Sequence, residues 1–300
     1  MKESPSIFDK PLLVTGANGM LGWALRQRLI WPDGPKGELL WTDVRELDIT
    51  DRAAVGEFVG RRRPGVILNC AALTDVDGCE SRRDEAFRIN GAGVENLARA
   101  AAEAGCLLVQ LSTDFVFSGD ARRPYREDDE PRPLSVYAAS KLAGEKAAEL
   151  APQRLIVRTA WLYGPRGKNF VRAICQRADE AAPLRVVGDQ VGSPTYSRDL
   201  AEALWRLIRS GARGVVHAVG SETASWFGFA KAIVELWRPG TLVAEITSQE
   251  LQRPARRPAY SVLDCSRLLA IAGYRLPGFS QALPQYLAEL RAELQGAAPA

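Results

Sequence analysis

The sequence predicts an α/β fold: a doubly wound parallel sheet followed by a smaller C-terminal α/β part. Three observations carry this. The apolar run Leu12-Leu13-Val14-Thr15 leads straight into Gly16-Ala17-Asn18-Gly19-Met20-Leu21-Gly22, and an apolar-periodic helix follows to about Ile30. Strand, glycine loop and helix in that order are the context a dinucleotide-binding motif requires. Short apolar runs and helical patterns then alternate as far as Arg158, which calls for parallel strands joined by helical crossovers. After residue 165 the alternation loosens, and polar Pro/Gly connections separate the elements.

The glycines of the first loop allow a tight turn and let backbone approach a pyrophosphate at the helix N-terminus. Their spacing is G-x-x-G-x-x-G. A Pro/Gly turn at 31–37 precedes a second strand, 38–42, which ends at Asp43. An acid there can bind the adenosine ribose hydroxyls, as in an NAD site, whereas Arg45 suits a 2′-phosphate. The implied cofactor is therefore NADPH or NADH. Asp48-Ile49-Thr50-Asp51 leads into a helix through Arg61, capped by Thr50 or Asp51. Asp48 is either a capping or solvated acid or an adenine contact. The buried strand 66–69 closes in Cys70-Ala71-Ala72, small residues beside which a cofactor can pass.

A helical pattern covers 85–103, with Asn90 and Asn96 inside it. The strand 107–111 ends at Ser112-Thr113-Asp114. Chemistry in parallel α/β sheets gathers at the carboxyl ends of strands, so Thr113 is a candidate catalytic hydroxyl; the alternative is a strand-end turn or cap. Residues 118–135 read as a long surface loop. The next helix, to about Leu150, carries Tyr137 and Lys141. Spacing i, i+4 puts both on one face, and a lysine ammonium beside a phenol lowers its pKa, giving a tuned proton donor.

These elements form a Rossmann-type domain over residues 1–165, rejoined by about 195–222. Residues 166–300 form the mainly substrate-binding part. There, helical patterns fall at 169–181, 198–209 and 226–237, and strand-like runs at 184–187, 215–219 and 242–246. The stretch 188–195 reads as a connection and 253–258 as a basic proline-rich loop. A last helix spans about 281–295, and the Ala/Pro tail is expected to be disordered.

Composition narrows the function. With 300 residues, 46% hydrophobic and 25% charged, the chain has material for one large or two modest domains. The net charge is only +3, and the triplet Arg61-Arg62-Arg63 sits at a helix end, where the helix dipole favours cations. No nucleic-acid partner is expected. No apolar run is long enough to span a membrane, and the polar start at 1–10 does not read as a signal peptide. Five cysteines without a C-x-x-C read as reduced thiols in a cytoplasmic protein. The single histidine, His217, lies in an apolar strand-like run and excludes a multi-histidine metal site.

With these motifs in place, the chain resembles the dTDP-4-dehydrorhamnose reductase family of extended short-chain dehydrogenases/reductases. The resemblance rests on VTGANGMLG at 14–22, ELDITD at 46–51, NCAALTDVDGCE at 69–80 and LSTDFVFSG at 111–119. It continues through PYREDDEPRPLSVYAASKLAGE at 124–145 and VRTAWLYGP at 157–165. RVVGDQVGSPTY at 185–196 and ARRPAYSVLD at 255–264 belong to the substrate half. The family implies NAD(P)H-dependent reduction of the C4 ketone of dTDP-4-dehydro-6-deoxy-L-mannose to dTDP-L-rhamnose. It implies that Tyr137 donates the proton, Lys141 holds the nicotinamide ribose, Thr113 bonds the carbonyl and Asp114 contacts the sugar. Asn18, Gly19 and Met20 match the pyrophosphate loop, and Asp48 and Ile49 the adenine contact. Ala71, Ala72 and Leu73 match the segment beside ribose and nicotinamide, and Trp161 a substrate-side aromatic. Arg256 and Arg257 are assigned to the diphosphate, because forked fixed charges suit phosphate; a solvated loop is the alternative.

Leu73 stands where relatives usually carry an aromatic residue, and Phe115 replaces a tyrosine. Neither removes a catalytic group, but Leu73 leaves the particular sugar open. The acidic set through which some relatives bind magnesium is not matched, so no metal is assigned. A homodimer is an expectation. The alternatives are a reductase of another dTDP-4-keto sugar, of dihydrostreptose-synthase type, and a non-catalytic nucleotide-binding subunit like that of methionine adenosyltransferase. Thr113, Tyr137 and Lys141 together favour catalysis.

Overall fold

Strands buried along their whole length need cover on both faces. Strands β1 (Leu12–Thr15), β3 (Val66–Asn69) and β4 (Leu107–Thr113) are buried at every residue. The computed structural model describes residues 7–180 and 183–296; the Ala/Pro tail lies outside them. Strands β2 (Leu39–Thr42), β5 (Arg154–Thr159) and β10 (Gly214–His217) complete a six-stranded sheet in the order β10-β5-β4-β3-β1-β2. Every pairing in it is parallel.

Alternate side chains of these strands feed two different cores. Leu12, Val14, Leu68, Val109 and Val157 pack under helices α1 (Met20–Leu29) and α8 (Ser197–Arg209). Leu13, Ile67, Leu108 and Ile156 pack under α2 (Arg52–Arg62) and α5 (Gly93–Ala104), with Ala148 of α6 (Val136–Ala148) in the same cluster. The order reverses between β1 and β3, so a crevice opens at their carboxyl ends.

The helix read at 85–103 is not uniform. It comprises α4 (Arg83–Phe87), a π-helical turn at Arg88–Ala92, and α5. A Cβ on Gly144 of α6 would lie 2.2 Å from the Asn90 carbonyl oxygen, which shows how closely α6 crosses the π turn. A short helix α3 (Val76–Ser81), absent from the sequence expectation, precedes α4. Asp51, not Thr50, caps α2, its carboxylate accepting from Ala54 N at 3.0 Å.

The C-terminal part packs around a third core, containing Tyr163, Ile174, Phe229, Tyr286 and Leu287. It contains β6 (Leu162–Tyr163), α7 (Phe170–Asp179), β7 (Leu184–Val187), β8 (Val191–Gly192) and β9 (Thr195–Tyr196). It continues with β11 (Ala224–Ser225), α9 (Trp226–Trp237), β12 (Val243–Ile246), α10 (Ser248–Leu251) and α12 (Phe279–Leu294), whereas α11 (Ser266–Ala272) returns to the sheet and packs on its first core through Leu268. Strands pair β7 with β12, β6 with β9 and β8 with β11. The stretch read as a connection therefore holds β8 and the start of β9, each strand two residues long and too short for a period to register. Among the described residues, no helix is long and apolar enough to cross a membrane.

The packing at Gly144 predicts a contrast. Gly144→Ala overfills the crossing and should destabilise the protein by about 1–3 kcal/mol. Gly56→Ala, in α2 with nothing near its missing Cβ, should stabilise it by about 0.5–1 kcal/mol. Urea-unfolding midpoints of both variants check this, and equal effects would contradict it.

Candidate active site

The crevice at the β1/β3 switch is a cleft of about 570 Å³. Gly16 has φ +65°, and a Cβ there would sit 2.6 Å from Ala71 N. Only glycine lets the loop meet the end of β3 this closely. Gly22 meets the loop backbone at the same 2.6 Å. No side chain caps the N-terminus of α1 at Gly19, so its amides can meet an anion. Asp43 accepts a hydrogen bond from Asn18 N at 3.0 Å, tying the end of β2 to the loop. Asp48 accepts from Thr50 N and Oγ1, both at 2.8 Å, and lines the cleft as well. Gly16, Asn18, Gly19, Asp43, Asp48, Ile49, Ala71 and Ala72 thus share one cleft. Met20 opens α1 and Gly22 packs inside it, while Leu73 sits in a small cluster with Tyr137. Open loop amides, a glycine cradle and an acid at the end of β2 fit a dinucleotide.

A buried polar chain underlies this cleft. Thr15 donates to Asn69 Oδ1 at 2.6 Å, Asn69 donates to Gln110 at 2.7 Å, and Asn69 Oδ1 accepts from Ala71 N at 3.1 Å. Asn90 accepts from Leu73 N at 2.8 Å and donates to Leu73 O and to Ser140 Oγ. Arg88, also in the cleft, donates to Thr50 Oγ1 at 2.9 Å. The sequence shows Asn69 in a motif and Asn90 inside a helical pattern but gives neither a role, and Arg88 and Gln110 do not stand out, because single polar residues in apolar runs carry no period.

The next corner lies at the end of β4. Ser135 caps α6, and the helix presents Tyr137 toward Thr113 at the end of β4. Burial raises the phenol pKa; the neighbouring Thr113 hydroxyl lowers it, and the Asp114 charge raises it again. Lys141 lies one turn further along the same face of α6. Its Nζ donates to the Leu111 carbonyl at 2.6 Å, and burial lowers its own pKa to about 8 against the pull of Glu145. Glu145, one turn further along α6, accepts from Arg158 Nε and Nη2 at 2.9 and 2.7 Å and from the Ser112 hydroxyl. His217 packs beside Arg158 at the end of β10, held neutral by burial and by that guanidinium.

A second cleft of about 520 Å³ lies in the C-terminal part, lined by Trp226, Gln190, Arg253, Arg256 and Arg257 among others. Trp226 stacks on Trp161, with centroids 3.4 Å apart and planes 4° apart. Trp161 has φ +46°, unusual for a bulky residue. A Cβ on Gly192 would lie 2.5 Å from its ring, so the indole is held from both sides. Trp161 also packs on the cluster around Val116 and Ala160, which connects this cleft to the end of β4. The two arginines differ. Arg256 is exposed and has no carboxylate partner among the described residues. Both terminal nitrogens of Arg257 bind Asp77 at 3.0 Å, so its fork is already engaged, and Arg256 remains as the open cation.

Asp114 is 2% exposed. Thr113 donates to its Oδ1 at 3.1 Å, whereas Oδ2 has no partner. Burial raises the carboxyl to about 7, against the lowering effect of the Ser261 and Thr113 hydroxyls beside it. The unfolded chain releases this proton near the ordinary value of 3.8. Between these pH values the native state holds a proton that the unfolded state has lost, so this group's contribution to stability falls as pH rises from about 4 to 7. Asp114→Asn should flatten that decline and be more stable than the native chain at pH 8. Urea midpoints across this range test it, and parallel pH curves would refute it.

The fold agrees with that of solved relatives. A family model described as the RmlD substrate binding domain matches residues 10–292. A dTDP-4-dehydrorhamnose reductase of Mycobacterium tuberculosis is 44% identical over 270 residues, 87% of each chain. A dTDP-4-keto-6-deoxy-D-glucose reductase of Streptomyces niveus is 40% identical, covering 84% of this chain and 87% of its own. The crystal structure of a dTDP-4-dehydrorhamnose reductase from Bacillus anthracis, in complex with NADP, is similar with a TM-score of 0.89 and 37% identity. That match covers 94% of this chain and 99% of the other. As its motifs suggested, the chain belongs to the RmlD substrate binding domain family.

Proposed function

We propose that this protein reduces the C4 ketone of dTDP-4-dehydro-6-deoxy-L-mannose to dTDP-L-rhamnose with NADPH or NADH. The observation that carries this is the Thr113–Tyr137 pair at the end of β4, with the dinucleotide-shaped cleft and the arginine- and tryptophan-lined cleft both nearby. The relatives named for this reaction support it. Residues 1–165, with 195–222 returning to the sheet, serve the coenzyme, and 166–300 mainly the sugar nucleotide. The separate core around Ile174, Phe229 and Leu287 supports that division. Five unpaired cysteines suit a reducing cytoplasm.

The reduced nicotinamide supplies the hydride when bound. Thr113 and the Tyr137 hydroxyl hold the carbonyl oxygen, where charge develops. Tyr137 then gives its proton to that oxygen. The phenol is protonated at neutral pH, as a donor requires. The Lys141 ammonium anchors the coenzyme ribose and stabilises the phenolate left behind. Asp114 and Trp161 contact the sugar. Asn18, Gly19 and Met20 hold the pyrophosphate, and Asp43 the adenosine ribose. Asp48 and Ile49 flank the adenine, Ala71 to Leu73 pass the nicotinamide ribose, and Arg256 meets the substrate diphosphate.

Tyr137→Phe should lower kcat by about 10²–10⁴-fold while coenzyme affinity stays within about twofold. Nicotinamide absorbance during turnover, with coenzyme titrations, checks both halves. Full activity in the variant would sink the mechanism. The Streptomyces niveus relative favours a second reading, a different dTDP-4-keto-6-deoxy sugar. Comparing kcat/KM for the L-mannose- and D-glucose-configured ketones decides between them.

A further inference from the structure

Helix α3 touches both halves of the site. From it, the Asp77 carboxylate receives four hydrogen bonds from the loop 253–258. Arg257 gives two, both at 3.0 Å, Arg253 Nη1 gives one at 2.9 Å, and Ala255 N gives one at 3.3 Å. Three residues further along α3, Glu80 Oε1 accepts from Val136 N at 2.9 Å. Val136 is the first residue of α6, and its amide is one of the four that a helix cannot satisfy internally. Cys79 between them is fully buried against Val136, with Tyr137 on the edge of the same cluster. Six residues therefore join the loop carrying Arg256 to the helix carrying Tyr137, across sequence separations of 176 and more on one side and 56 on the other.

We propose that α3 is a positioning clip: Asp77 fixes the Arg253–Pro258 loop for the diphosphate of the sugar nucleotide, and Glu80 fixes the start of α6 for proton donation. The contacts bear on position more than on stability. Arg253 is 55% exposed, so its ion pair with Asp77 contributes little to stability, whereas the Arg257–Asp77 fork, at 16% and 20% exposure, is largely shielded from water. Their geometry is nonetheless specific, because a bidentate fork fixes both angle and distance. Charge points the same way. One carboxylate among three guanidiniums orders the loop and still leaves it cationic. Hydrogen bonds from Arg257 and Arg253 take Asp77 to about 2 against the opposing effect of burial, so the clip stays charged at every working pH. Arg256, between the two clamped arginines, is held without a carboxylate partner of its own.

The kinetic part of the test rests on the proposed reduction of a dTDP-4-keto sugar; the binding part does not. Calorimetry of the full chain with dTDP should show about tenfold weaker binding for Asp77→Asn, with coenzyme affinity unchanged. In turnover, Asp77→Asn should raise KM for the sugar nucleotide and leave kcat within about twofold, and Asp77→Glu should recover part of the loss. Glu80→Ala, which removes the acceptor for Val136 N, should do the reverse, lowering kcat with dTDP affinity intact. Arg257→Lys, which keeps the charge but loses the fork, should repeat the Asp77→Asn shift if that variant folds poorly. Unchanged dTDP binding in Asp77→Asn would overturn the clip. Tighter binding would also overturn it, by making Asp77 a rival of the diphosphate. Equal losses in KM and kcat for both variants would reduce α3 to a structural brace. Absence of turnover by the native chain would refute the proposed reaction, whereas normal turnover with indistinguishable variants would refute the clip alone.

Discussion

The arrangement of this site depends on a buried ion pair. Arg158 at the end of β5 is 3% exposed and Glu145 on α6 is 5% exposed, and they meet through two hydrogen bonds. Ser112 of β4 joins them. Two strands and one helix are therefore pinned at a single point. Such a pair adds little net stability compared with apolar packing, yet losing one partner costs about 3–5 kcal/mol. What it supplies is registration of α6 on the sheet. Lys141 lies one turn from that anchor and Tyr137 two turns, so both inherit their positions from it.

Below the anchor the close approaches are steric rather than ionic. Asn90 meets α6 where Gly144 leaves room, and Gly16 meets the end of β3 where no side chain fits. These contacts fix the distance between the glycine loop and the tyrosine helix. A reductase needs that distance fixed, because hydride and proton must reach one carbonyl from two different sources. On the far side, the Trp161–Trp226 stack and the α3 contacts hold the C-terminal part to the same frame.

Electrostatics within the frame did not follow from spacing. Tyr137 and Lys141 share a helix face, but the ammonium is drawn to the Leu111 carbonyl and the phenol responds chiefly to burial. Spacing can state that two side chains share a face; it cannot state which neighbour a long, flexible lysine chooses. Arg257 teaches the same lesson. Its identity suited a phosphate, but a carboxylate distant in sequence had already engaged it.

The sequence by itself determined the parallel sheet, the glycine loop and the placing of Thr113 at a strand end. These follow from local period, from turn chemistry and from the rule that strand ends face the crevice, none of which needs a distant residue. The tertiary structure decided the rest: the π turn that turns Asn90 toward Leu73, the two-residue strands β8 and β9, the sandwiching of Trp161, and helix α3. Each of these arises from contacts between segments far apart in the chain. Burial there sets pKa values and hydrogen-bond partners, and burial is a property of the assembled fold rather than of any one stretch of residues.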